Sequence, residues 1–105
     1  MFRRLVTIKL KVNSAGELAR INLTTIVPLL HAQKGFRGES LYVAPWGLEA
    51  IAKSSWDTKE DAEAYDRMCY PRILMALSRV VDGKPIVETY EFAGSAFQPA
   101  IAKAA

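Results

Sequence analysis

The sequence predicts a single α+β domain of order βαββαβ, with helices covering one face of a four-stranded antiparallel sheet. Three observations carry this expectation. Apolar residues alternate with a period of two near the start, twice in the middle and again near residue 90. Between these runs lie two stretches whose apolar residues recur every three to four positions. Gly, Pro and Asp residues punctuate the boundaries, leaving room only for short connections.

Residues 2–12, "FRRLVTIKLKV", set Val6, Ile8, Leu10 and Val12 on one face and Leu5, Thr7, Lys9 and Lys11 on the other, so they predict the first strand. In "SAGE", Ser14 and Glu17 have capping-box spacing, and Leu18, Ala19, Leu23, Ile26, Val27 and Leu30 follow with helical spacing. The β-branched residues of "INLTTIV", followed by Pro28, predict a kink near Val27. Gly35 is placed to end this helix, and Gly38 precedes the next apolar run. "ESLYVAP" and "LEAIAKSSW" then read as two strands joined through Pro45, Trp46 and Gly47. Asp57 and Glu60 repeat the capping spacing and open the second helix, where acidic residues suit the positive end of the dipole. Pro71 fits the first turn of a fresh helical segment, with Tyr70, Leu74, Leu77 and Val81 on one face, until Asp82 and Gly83 end it. "KPIVETYEF" supplies the last strand. The domain is thus expected over residues 1–93, with an Ala-rich, partly disordered tail over 94–105.

This order is the ferredoxin-like, split βαβ arrangement. One layer of helices hides one face of such a sheet. Here both faces carry apolar residues: Val87 and Thr89 alternate with Ile86, Tyr90 and Phe92, and Ala50 and Ala52 flank Ile51. Pairing of two sheets face to face in a homodimer would cover the second face.

Half of the 105 residues are apolar, which is generous for one small domain and points the same way. Lys9 and Lys11 interrupt the N-terminal apolar run before a signal-peptide core or a membrane span is complete, so a soluble, cytoplasmic protein without membrane contact is expected. The net charge of +3 is spread among acidic residues rather than gathered on one face, which argues against a nucleic-acid partner. One Cys and one His exclude an intramolecular disulfide, a thiolate cluster and a two-His metal motif, so neither metal nor cofactor is expected.

The order of elements, together with "LLHAQKGFRGESLYV" and "SSWDTKEDAEAYDRMCYPRIL", resembles the antibiotic biosynthesis monooxygenase-like family of dimeric α/β barrels. The likeness spans roughly residues 4–93. It implies a homodimeric small-molecule-binding protein. One activity it implies is cofactor-independent monooxygenation of an electron-rich, quinol- or anthrone-like aromatic; the alternative is a non-catalytic ligand-binding or assembly module of the same fold. The family's haem-degrading branch pairs an Asn on the first strand and a His on the second helix with a Trp ending the third strand. Trp56 fits the last of these, but Val6 and Asp66 fall near the other two positions, which leaves haem iron without an axial imidazole.

Five residues are candidates for a site. His31, whose side chain ordinarily titrates near neutrality, is the candidate base for a phenolic proton; a residue favoured by the helix C-terminus is the structural alternative. Trp56 could wall a pocket for a planar ligand or simply wedge sheet and helix together. Tyr65 and Tyr70 could bring phenolic hydroxyls to the pocket, and Arg67 could hold an anionic substrate, although solvated helix positions account for an Arg more often. Cys69 reads as a small buried hydrophobe.

Overall fold

The computed structural model describes residues 1–96. The chain runs β1 (Phe2–Lys9), α1 (Ala15–Ile21), a π-helical segment (Asn22–Ile26), α2 (Val27–His31), β2 (Phe36–Val43), β3 (Glu49–Trp56), α3 (Lys59–Met68), α4 (Tyr70–Leu77) and β4 (Ile86–Glu91). The strands form one antiparallel sheet of order β2-β3-β1-β4 with the helices on one face, the ferredoxin-like α+β arrangement. The expected tail lies outside the described residues apart from 94–96. Among the described residues no helix is long and apolar enough to cross a membrane.

β1 is the central strand with β3, and its alternation is strict: Phe2, Arg4, Val6 and Ile8 are buried, while Arg3, Leu5 and Thr7 are partly covered on the other face. It ends three residues before the expected Val12. Leu10 and Lys11 still donate backbone bonds, to Leu48 and Val80, but Asn13 adopts φ 59° and turns the chain into α1, leaving Val12 exposed.

The first helical region differs from expectation in two ways. Ser14 makes no side-chain cap: its backbone is helical (φ −106°, ψ −4°) rather than extended and its hydroxyl turns back toward the Val12 carbonyl, while the Glu17 carboxylate that would complete the box is held by Arg20 and Arg79. The predicted kink near Val27 is instead a π-segment, in which the Val27 amide reaches back five residues to the Asn22 carbonyl. Pro28 lacks an amide and would crowd the carbonyl four residues earlier; the wider turn relieves that conflict and starts a fresh α-turn.

β2 begins at Phe36, three residues earlier than expected, and contains an irregularity the sequence reading did not anticipate. Phe36 lies opposite Trp56, but Gly38, not Arg37, lies opposite Ser55. Arg37 is therefore the extra residue of a β-bulge, and its guanidinium grips Asp57 through two bonds of 2.5 and 2.9 Å. Asp57 is thus committed to Arg37 and does not cap α3. Thr58 does, its hydroxyl accepting from the Asp61 amide at 3.1 Å. Gly35, at φ 79°, passes so close to Asp61 that a Cβ there would collide with its carboxylate.

The core is one cluster between sheet and helices, built on Val6, Ile8, Leu18, Leu30, Trp56 and Ile73 among others. Trp56 is its only large side chain with no exposed surface at all.

Candidate functional site

The helical layer does not close fully onto the sheet. Between them lies a cavity of about 450 Å³ including its mouth, of which about 40 Å³ can hold the centre of a water molecule. Its floor is the core-facing row of the sheet: Arg4, Val6 and Ile8 from β1, Ala52 and Ser54 from β3, Glu39 and Leu41 from β2. Its roof combines Leu18, Asn22, Ile26 and Leu30 from the first helical region with Tyr65, Tyr70, Ile73 and Leu77 from α3 and α4. Most of this wall is apolar. A few polar groups interrupt it, the pattern of sites that take small organic ligands.

Arg4 is 3% exposed, an unusual position for a guanidinium. One of its terminal nitrogens donates to Asp66 at 2.6 Å, and the group lies 4.1 Å from the Tyr70 ring centre and 5.1 Å from that of Tyr65. Its Nε has no partner. Opposite, Asn22 donates to Glu39 Oε1 at 3.3 Å, while Glu39 Oε2 is buried without a partner. Burial raises the Glu39 carboxyl above its usual range, and the Asn22 bond offsets only part of this. The Tyr70 hydroxyl is buried and unpartnered too. Burial pushes the phenols of Tyr65 and Tyr70 upward against the opposing charge of Arg4, so both remain protonated donors at neutral pH.

Ser54 lies midway. It stands opposite Arg4 across one strand pairing and opposite Glu39 across the next, so the three residues form one row on the cavity face. The Trp56 indole N–H donates to Ser54 Oγ at 2.9 Å and fixes that hydroxyl.

The structure brings two of the five sequence candidates, Tyr65 and Tyr70, into the cavity wall. Trp56 lies behind it, fully buried, its ring 5.0 Å from Tyr65 and 5.6 Å from Phe36. His31 is exposed at the end of α2, edge-on to Phe36 at 5.2 Å and away from the cavity lining. Arg67 is exposed on α3 and also outside the lining.

Arg4, Asn22, Ser54 and Glu39 were missed. Three of them had a readable signal: Arg4 falls in register with Phe2, Val6 and Ile8, Ser54 with Ala50, Ala52 and Trp56, and Asn22 falls between Leu18 and Ile26 at four-residue spacing. Glu39 had none, because the bulge at Arg37 decides its face. In unbroken alternation from Phe36, Glu39 would lie opposite Lys53 on the far side of the sheet; the extra residue brings it opposite Ser54.

No group of three or more His, Cys, Asp or Glu side chains suited to a metal occurs among the described residues. At the positions where the haem-degrading branch carries Asn and His stand Val6, part of the apolar wall, and Asp66, whose carboxylate is bound to Arg4. These residues do not fit haem ligation.

Fold and cavity together define a ferredoxin-like α+β domain with an interior chamber between sheet and helices. Solved structures share this fold across nearly the whole chain. The monooxygenase ActVA-Orf6 of Streptomyces coelicolor, solved with nanaomycin D, superposes with a TM-score of 0.78 at 15% identity, covering 93% of this chain and 92% of its own. SnoaB of Streptomyces nogalater, a cofactor-independent oxygenase, gives 0.75 at 9% identity, covering 90% and 94%. NE2512 of Nitrosomonas europaea, of unknown function, gives 0.73 at 16% identity, covering 94% and 95%. No protein-family model matches the sequence, and no curated protein does.

Proposed function

We propose that this chain is a homodimeric small-molecule-binding protein that acts as a cofactor-independent monooxygenase on an electron-rich, quinol- or anthrone-like aromatic. One observation carries the reading. Of four buried side-chain polar atoms without a partner among the described residues, three (Arg4 Nε, Glu39 Oε2 and the Tyr70 hydroxyl) belong to residues lining one apolar cavity. Each such orphan costs about 1–3 kcal/mol unless something outside the fold partners it, and three of them gathered in one apolar cavity point to a ligand's polar atoms. An aromatic body suits the apolar wall, and its oxygens suit the orphans. The two structural neighbours that are oxygenases support the choice of reaction.

In that reaction the substrate, once ionised, is itself the reductant. Its anion passes one electron to dioxygen, the radical pair combines into a hydroperoxide at the ring carbon, and loss of water leaves a carbonyl: a methylene and O₂ become a ketone and H₂O. The protein orients the ring and keeps bulk water out.

The test is oxygen uptake with 1,8-dihydroxy-9-anthrone after exhaustive chelation. We expect one O₂ consumed per anthrone, one atom of ¹⁸O from ¹⁸O₂ in the quinone, and a rate well above buffer. Saturable binding with uptake at the buffer rate would instead establish the non-catalytic ligand-binding module. The resting cavity is narrow, so under either reading a tricyclic ligand fits only when wall side chains turn aside.

A further inference from the structure

We propose that Glu39 is the proton acceptor of this cavity and Arg4 the group that holds the oxyanion formed when the proton leaves, so that the site enolises a planar ketone. The inference rests on the reading of the cavity as an aromatic-ligand site, and it goes further by assigning a proton-transfer activity that needs no oxygen.

The placement follows from the sheet. Arg4, Ser54 and Glu39 occupy one row across β1, β3 and β2, all on the cavity face. Two strand spacings set the outer Cα atoms about 10 Å apart, and both side chains reach the same space. An acceptor and a cation therefore stand at the two ends of one row that lines the cavity. In an anthrone the acidic methylene and the carbonyl oxygen lie at opposite ends of the central ring. Proton loss at one end places negative charge at the other.

Each end is equipped for one part of that change. Glu39 Oε2 has no partner, so its lone pairs are free, while Asn22 holds Oε1 and fixes the carboxylate plane. Arg4 is braced by Asp66 and packed against the faces of Tyr65 and Tyr70, and its Nε–H is uncommitted. In the step, the C–H bond breaks, the proton goes to Glu39 Oε2, and the electron pair moves through the ring to the carbonyl oxygen beside Arg4. Nothing is oxidised or reduced. Burial adds to the case for Glu39, since a carboxyl that resists ionisation is a stronger base once ionised.

His31, the sole histidine, stands exposed outside the cavity lining. Glu39 is the carboxylate in the cavity wall. No other acidic side chain lines the chamber among the described residues.

The experiment is hydrogen–deuterium exchange at the methylene of 1,8-dihydroxy-9-anthrone under argon in deuterated buffer, followed by NMR. The native chain should accelerate exchange at least tenfold over buffer. Glu39→Gln should return the rate to within threefold of buffer while the anthrone dissociation constant changes less than threefold, because Gln preserves shape and the Asn22 contact. The anionic absorption band of the bound probe should persist in Glu39→Gln, where Arg4 is intact. Arg4 is too buried to alter safely, so its role is read through Asp66→Asn. Removing the neighbouring carboxylate leaves the guanidinium less neutralised, and the bound probe should ionise at lower pH than in the native complex.

Exchange undiminished in Glu39→Gln would overturn the assignment of the base, and an unmoved ionisation in Asp66→Asn that of the oxyanion holder. A bound probe that exchanges no faster than in buffer would overturn both. Exchange without oxygen uptake would sustain this proposal and sink the monooxygenase reading. An anthrone that does not bind up to its solubility limit would sink both.

Discussion

Burial raises the Glu39 carboxyl because its second oxygen has lost water and gained no partner. The sign of the effect on stability follows. Below the ordinary carboxyl value of 4.5 the folded and unfolded chains are both protonated, and Glu39 costs nothing. As pH rises the unfolded chain releases its proton first, so stability falls until the folded value is passed. Glu39→Gln should therefore unfold at higher urea concentration than the native chain at neutral pH and show no such gain at pH 3.5. A loss of stability at neutral pH that vanishes at pH 3.5 would mean that the ionised carboxylate has a partner after all. Trp56 presents the opposite case. It is wholly buried between Phe36 and Tyr65, so Trp56→Ala should cost about 3–5 kcal/mol in urea unfolding. Trp56→Phe should keep most of that packing while freeing Ser54 Oγ from its indole donor. Trp56→Ala melting with the native chain would show that the ring carries little of the core.

The order of elements was legible because periods of two and of three to four are imposed by burial, and burial is what the sequence most directly encodes. Cap positions were less legible. Ser14 and Asp57 both stand three residues before a Glu, yet neither side chain caps a helix, because capping competes with other partners that only the folded chain brings near. The Ser14 hydroxyl turns toward the Val12 carbonyl, Glu17 meets Arg20 and Arg79, and Asp57 meets Arg37. Thr58 has the bond that Asp57 was expected to make. Thr58→Ala should accordingly cost about 1 kcal/mol, whereas Asp57→Ala, which breaks only an exposed ion pair, should cost far less. The reverse order in thermal unfolding would restore Asp57 as the cap. The bulge was the least legible feature. A single extra residue leaves almost no trace in an alternating pattern, yet it chooses which face receives Glu39. Arg4 and Asn22, in contrast, were plain polar interruptions of apolar stripes and could have been read as cavity residues from sequence alone.

At the scale of the molecule, one side of the sheet has no cover among the described residues. Its rows run Tyr42, Ile51, Thr7, Ile86 and, further along, Ser55, Arg3, Tyr90, with Tyr42, Ile86 and Tyr90 each at least half exposed. We expect a second copy of the chain on this face, and light scattering over a dilution series should report twice the chain mass. Replacing Tyr42 and Ile86 together by Lys should halve it without unfolding the subunit; a native monomer at micromolar concentration would defeat the expectation. The strict alternation of β1 then acquires another meaning. Arg3 and Leu5, on the uncovered face, are the chain neighbours of Arg4, on the cavity face. A sheet is one residue thick, so in such a pair a ligand that moved the Arg4 backbone would also move Arg3 and Leu5 against the second copy. Ligand occupancy and subunit pairing would then be reciprocal quantities, each altering the other by the same factor, and the two chambers of a pair would answer to one another through a common wall.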